Sequence, residues 1–299
     1  MNKLSFLAAL TIIILSTTSC ESLARKFASK AGKDVAKRSI ENVGKETAEA
    51  ASKKVVKEVS EEATEKAIKG VVGKSMREMA VTNSAIKSLY DNFTTRISKE
   101  FADGIVINTT ERGMVMASKD FPNSAIRMNK NMMIGKAGSL KTSGPMNEFL
   151  NQLLPNKTYI VDDFFVYKTD NLGRVVSCTG DRTKAFKSIE RNTQRNSDIQ
   201  KYIVESLDGR KGLDDGGHLF ANNTGGPNEL INQVPMSREL NQHGQWRELE
   251  RMEEKALKEG KEVFSQRNLL YKGNEKRPYA IEFISKIDGK ETRVIVENI

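Results

Sequence analysis

The sequence predicts an α+β fold: a mainly antiparallel sheet in the C-terminal half, preceded by an α-helical N-terminal region. Three observations lead there. Runs rich in β-branched and aromatic residues recur at 159–169, 263–271, 279–287 and 292–297, with turn residues between them. An apolar stripe through Trp246, Leu249, Met252, Ala256 and Leu257 follows helical spacing and stops at Gly260. Residues 21–103 alternate Lys and Glu with Ala and Val and contain no proline, the pattern of amphipathic helix.

The chain starts with a basic residue, Lys3, an apolar run from Leu4 to Leu15 and small residues leading to Cys20. Residues 1–19 read as an export signal, too short for a retained membrane span. The placement of Cys20 resembles a bacterial lipoprotein cleavage site, although Thr17 stands where that motif usually has leucine. The expectation is an exported protein, lipid-anchored through Cys20 at the cell or outer membrane or else secreted. Each buried acyl methylene contributes roughly 0.8 kcal/mol to such an anchor. The plainer alternative is an ordinary signal peptide with an incidental cysteine. Cys178 is the only other cysteine, which excludes a disulfide scaffold. On an expected strand, Cys178 reads as a small buried residue.

From residue 20 to 103, apolar positions fall four apart at Leu23, Phe27, Ala31 and Val35, and again from Val55 through Val59, Ala63 and Ala67 to Val71. Gly32, Gly44, Gly70 and Gly73 interrupt them. This is a helical stalk or a membrane-active delivery region. Residues 104–155, rich in Met, Asn and Gly, read as a linker or small helper region. The compact domain is expected at 156–299. There, Asp170-Asn171-Leu172-Gly173 turns the strand from Tyr159 to Thr169 into a second one from Arg174 to Thr179. Residues 184–204 are polar and basic, irregular with a short helix. A strand edge at Asp215–Leu219, a short strand at Leu230–Val234 and a helix from about Gly244 to Glu259 follow. Asp288-Gly289-Lys290 joins the last two strands.

The densest chemistry lies in Asp214-Asp215-Gly216-Gly217-His218, then Gly225-Gly226-Pro227, Asn232, Pro235, Leu240-Asn241-Gln242 and Trp246. Histidine with an ordinary pKa near 6.5 is mostly neutral at physiological pH and can accept a proton. His218 is one of two histidines; His243 reads as a surface residue beside the helix start. Gly216 and Gly217 remove side-chain bulk and let a sharp backbone path present the ring. An asparagine carbonyl suits a hard divalent cation that keeps most of its waters.

The stretch resembles the DNA/RNA non-specific endonucleases, a branch of the ββα-metal (His-Me finger) nucleases, over residues from about Tyr159 onward. The resemblance implies His218 as general base, Asn241 as direct ligand of Mg²⁺ or Mn²⁺, Asn232 as a supporting polar residue and Asp215 as the motif aspartate. It further implies Glu250 as the residue orienting metal-bound water. Two departures stand out: Gly216 replaces the arginine of the commoner motif, and the spacing from Asn241 to Trp246 is one residue longer than usual. A phosphate-clamping arginine is expected upstream, with Arg174, Arg191 and Arg210 as candidates. The implied activity is metal-dependent cleavage of DNA and RNA without sequence preference, as an antibacterial toxin with an immunity protein or as a nucleic-acid scavenger. A formal net charge of +9 suits a polyanionic substrate. The competing reading is a non-catalytic nucleic-acid-binding surface lipoprotein.

Overall fold

A computed structural model describes residues 73–110, 113–121, 124–138, 146–188 and 197–299. The export signal, Cys20, most of the expected helical region and Arg191 lie outside the described residues. No helix among the described residues is long and apolar enough to cross a membrane.

The first described elements are β1 (Lys74–Ser75) and three helices, α1 (Met76–Thr82), α2 (Ser84–Arg96) and α3 (Lys99–Asp103). Asn83 caps α2 by accepting from the amides of Ala85 and Ile86, which satisfies donors the first turn leaves unpaired. Their apolar residues point into the core rather than away from it. Met76 and Phe93 are fully buried, and Phe93 meets Phe101 and Phe149 edge to face. These three helices are therefore part of the packed body, not a stalk.

Residues 104–155, expected as a linker or helper region, carry β2 (Ile105–Thr110), β3 (Gly113–Ser118), β4 (Ala125–Asn129) and β5 (Met132–Gly135). They continue into β6 (Thr158–Val161), β7 (Phe165–Thr169) and β8 (Val175–Asp181), followed by α4 (Arg182–Ser188) and α5 (Ser197–Ser206). Next come the short strands β9 (Asp214–His218) and β10 (Gln233–Ser237), then α6 (Arg238–Gln242) and α7 (Gln245–Lys258). The chain finishes with β11 (Val263–Leu270), β12 (Ala280–Ile287) and β13 (Lys290–Glu297).

Eleven strands form one sheet in the order β1 to β8, then β11, β12 and β13; β9 and β10 pair separately. Every neighbouring pair is antiparallel except β5 with β6, which run parallel. That parallel seam joins the segment 104–155 to the strands downstream, so the sheet has no break at the expected domain start.

Two local differences from expectation have clear causes. The run from Tyr159 to Thr169 is two strands, because Asp162 and Asp163 both take left-handed φ values, 55° and 64°, and reverse the chain. The second short strand begins at Gln233, since Leu230–Asn232 forms one turn of 3-10 helix instead. Helix α7 ends as Gly260 predicts. Gly260 has φ 78°, its amide donates to Leu257 O at 3.0 Å, and Lys261 donates to Ala256 O at 3.0 Å, a Schellman stop.

Candidate active site

Strands β9 and β10 pair in antiparallel register, Gln233 opposite His218 and Ser237 opposite Asp214, and α7 follows. This is the ββα unit expected from the motif. The glycines serve a different purpose from the expected one. Gly216 and Gly217 lie in regular strand, and a Cβ on Gly217 would sit 2.7 Å from the Met236 side chain. They admit close packing of the ribbon rather than a sharp turn.

His218 is half-buried at the end of β9, and its position is fixed from three sides. Its Nε2 lies 3.0 Å from Asn228 Oδ1. The Trp246 indole donates to its carbonyl oxygen at 3.2 Å. The next residue, Leu219, donates to Asn232 O at 2.8 Å and accepts from Arg267 Nε at 3.2 Å. With Asn228 Oδ1 as acceptor, Nε2 is the donor, and in that tautomer Nδ1 is the basic nitrogen.

Asn232 is fully buried and its carboxamide is saturated. Oδ1 accepts from the Tyr167 hydroxyl at 3.1 Å and the Phe220 amide at 3.0 Å, while Nδ2 donates to Phe220 O and Pro227 O, both at 2.8 Å. It holds the loop between β9 and β10 in shape and has no donor or acceptor to spare.

Asn241, at the end of α6, is bracketed by two contacts to the ribbon. The neighbouring Gln242 donates to Asp215 Oδ2, and Trp246 reaches His218 O. Asn241 is half-buried, and among the described residues its carboxamide makes no hydrogen bond. Asp215 is spoken for by Gln242 and by Arg238 at 3.2 Å, so it ties α6 to β9.

Glu250 lies one turn beyond Trp246 on α7. Burial pushes its carboxyl up to about 7, against the pull of Arg247, which bonds it at 3.1 Å. A carboxylate in so poorly solvated a place gains from a nearby cation. The carboxamide of Asn241 and the carboxylate of Glu250 are each a hard oxygen donor of the kind that a water-retaining divalent ion takes. Among the described residues no group of three or more His, Cys, Asp or Glu forms a denser metal cluster.

The arginine candidates separate. Arg174 is committed to the β7–β8 turn: it bonds Asp170 at 2.7 Å and the carbonyls of Gly273 and Glu275 at 2.8 and 2.6 Å, and it stacks on Tyr271. None of these contacts brings it to the His218 group. Arg210 pairs with Asp214 at 2.9 Å.

Sequence reasoning passed over four residues. Asn228 orients His218, and its place in a Gly-Gly-Pro-Asn loop is the signal that could have drawn notice. Arg267 and Glu253, almost wholly buried, pair at 3.0 Å, reach the carbonyl of Leu219 through Arg267 and bind α7 to β11. On β11 the inward positions are Val263, Ser265, Arg267 and Leu269, so strand alternation alone puts the arginine inside. Arg182 is fully buried over the rings of Phe220 and Phe165, with burial lowering its pKa to about 10.

One more contact ties the site to the upstream strands. Glu229, adjacent to Asn228 and fully buried, accepts from the amides of Gly138 at 2.6 Å and Asn147 at 3.2 Å.

Residues 155–289 match the DNA/RNA non-specific endonuclease family. The Type VII secretion system protein EssD of Staphylococcus aureus strain USA300 is 30% identical over 144 residues, 46% of this chain and 22% of that protein. The same protein from strain NCTC 8325 / PS 47 matches to the same extent, so the chain covers 22% of the length of these relatives. Among solved structures, NucA from Streptococcus agalactiae with magnesium ion bound is 17% identical with a TM-score of 0.35, covering 73% of this chain and 92% of that one. Sda1 nuclease with bound zinc ion is 18% identical with a TM-score of 0.32, covering 45% of this chain and 76% of that one.

Proposed function

We propose that the chain, whose residues 155–289 match the DNA/RNA non-specific endonuclease family, is a metal-dependent endonuclease that hydrolyses DNA and RNA with little sequence preference. The observation that carries this reading is the hold on His218: Asn228 Oδ1 at 3.0 Å from Nε2 and the Trp246 indole on its carbonyl. An imidazole so oriented keeps its proton on Nε2 and takes one from water at Nδ1 as general base. Asn241 is the residue to hold the cation, Mg²⁺ or Mn²⁺, with Glu250 orienting its water. Once bound, the ion supplies counter-charge to the crowded phosphorus centre and the departing 3′ oxygen. Asn228, Asn232, Trp246 and Arg267 keep the base and its loop in one conformation before substrate arrives. Contacts to phosphate rather than base edges account for the lack of sequence preference.

The test is cleavage of supercoiled plasmid with and without chelator, using the full chain, because a fragment starting at Tyr159 would lack β5 and the amides that Glu229 binds. His218→Ala should lose about 10²-fold to 10⁴-fold of the rate while its unfolding temperature stays put. Equal rates would remove His218 from the chemistry.

The leader and Cys20 support export and lipid anchoring, as a toxin neutralised by an immunity protein in the producing cell or as a scavenger of extracellular nucleic acid. Cys20→Ser should release the protein from membranes on fractionation; an unchanged distribution would refute the anchor.

A further inference from the structure

The β7–β8 turn, the end of α2, α5 and the loop before β12 line a half-open cavity of about 200 Å³, to which neither Asn241 nor Glu250 contributes. Arg96, Arg174 and Lys276 line it, with no Asp or Glu among its lining residues. Arg174 is already answered by Asp170 at 2.7 Å. The other two are not. Arg96 Nη1 donates to Asn171 O at 3.0 Å and Lys276 Nζ to Ser206 O at 3.4 Å. Neutral carbonyls orient these cations without cancelling their charge, and among the described residues neither forms an ion pair with a carboxylate. Two like charges from separate segments around one hollow repel each other, and a small anion between them relieves that repulsion.

The other walls narrow the ligand. Tyr202, nearly half exposed, and Tyr271 contribute aromatic surface. The volume falls below the ~300–1,000 Å³ of pockets for drug-sized ligands, so what enters it is a phosphate or a sugar phosphate, free or at the end of a chain that continues into solvent. An arginine fork and a lysine point charge arriving from different directions suit a dianion with three acceptor oxygens better than a carboxylate with two.

We propose that this cavity is a phosphomonoester site, distinct from the one built around His218 and independent of whether the chain cleaves nucleic acid. Its anion is either free phosphate or the terminal phosphate of a nucleic-acid fragment. Gln233 also lines the cavity, and Gln233 is the strand partner of His218. An occupant therefore touches the same ribbon that carries the candidate base.

The experiment is calorimetric titration of the full chain in chelator, where no cleavage occurs, with three probes: inorganic phosphate, a 5′-phosphorylated dinucleotide and the same dinucleotide without that phosphate. The phosphorylated dinucleotide should bind at least 10-fold more tightly than its unphosphorylated counterpart. Lys276→Glu, at an exposed loop position, should weaken it at least 10-fold, and Arg96→Gln should weaken it in the same direction. Lys290→Glu, the same charge change at an exposed position outside the cavity lining, should leave it unaltered. Inorganic phosphate binding as tightly as the phosphorylated dinucleotide identifies the free ion as the ligand; tighter dinucleotide binding identifies a strand end. Equal binding with and without the 5′-phosphate, or equal weakening by Lys276→Glu and Lys290→Glu, overturns the proposal.

Discussion

Strands β12 and β13 pair over eight residues each, from Ala280 opposite Glu297 to Ile287 opposite Lys290, closed by a turn at Asp288 and Gly289 that both take left-handed φ. Ribbon β9–β10 pairs over only five, and its members include Asp214, Gly216, Gly217 and Pro235, residue types that strands usually avoid. What alternation and turn chemistry do for the large sheet, polar side chains do for the ribbon. Asn298 donates to Pro235 O at 2.9 Å and accepts from the Ser237 amide at 2.8 Å. Arg277 bonds Asp214 at 2.7 Å, and Arg267 bonds the carbonyl just past His218. All three anchors come from β11 or from the segments flanking β12 and β13. The large sheet supplies a frame, and the ribbon, too short to hold itself, is fixed to that frame at both ends of β9 and along β10.

The largest effect should come from cutting the frame-to-ribbon link at Arg267. Its guanidinium serves Glu253, Leu219 O and Ile284 O at once. Arg267→Met leaves Glu253 buried and unpaired, which should cost about 3–5 kcal/mol in denaturant unfolding. Adding Glu253→Leu should recover much of that stability, since an apolar pair replaces a buried ion pair at little net cost, yet leave cleavage impaired because Leu219 O has lost its donor. If the double variant regains full activity, the ribbon does not depend on this anchor.

The two asparagines sharpen the same contrast. Asn232 is saturated by four hydrogen bonds, so Asn232→Ala strands buried partners and should lower stability by about 3 kcal/mol. Asn241 makes none among the described residues, so Asn241→Ala should leave the unfolding temperature nearly unchanged while abolishing the response of cleavage to added Mg²⁺. Equal stability losses in the two variants would erase the distinction between holding the loop and meeting the cation.

How much of this was legible in the sequence follows from the range of the interactions concerned. The β7–β8 hairpin, the Gly260 stop and the β12–β13 turn are set by residues within a few positions of each other, and each lies where the sequence places it. Asp162-Asp163 carries a turn signal too, but the apolar residues on both sides mask it. The strands of 104–155 are Met-rich and close through a parallel β5–β6 seam between distant segments, which no local pattern announces. Within the site, the motif marks the region but not the division of labour. Asn232 is claimed by Tyr167 and Phe220, Gly217 by Met236, and Arg174 by its own turn. Those contacts exist only once the fold has formed.

The smallest effect concerns Asp214, where β9 begins. Its side chain is buried, which by itself raises the carboxyl pKa, but the guanidinium groups of Arg277 and Arg210 outweigh burial and hold it at about 2. A pKa lowered on folding means the unfolded chain takes up the proton first. The stability this carboxylate contributes is therefore present above the ordinary aspartate range near 4 and is lost as pH falls through about 2, amounting to roughly 2 kcal/mol. Urea unfolding of the native chain and of Asp214→Asn should differ most at neutral pH, and the gap should narrow between pH 4 and pH 2. A gap that stays constant over that interval would mean that the ribbon is held at this end by shape and hydrogen bonding alone, with no contribution from the charge that Arg277 and Arg210 share.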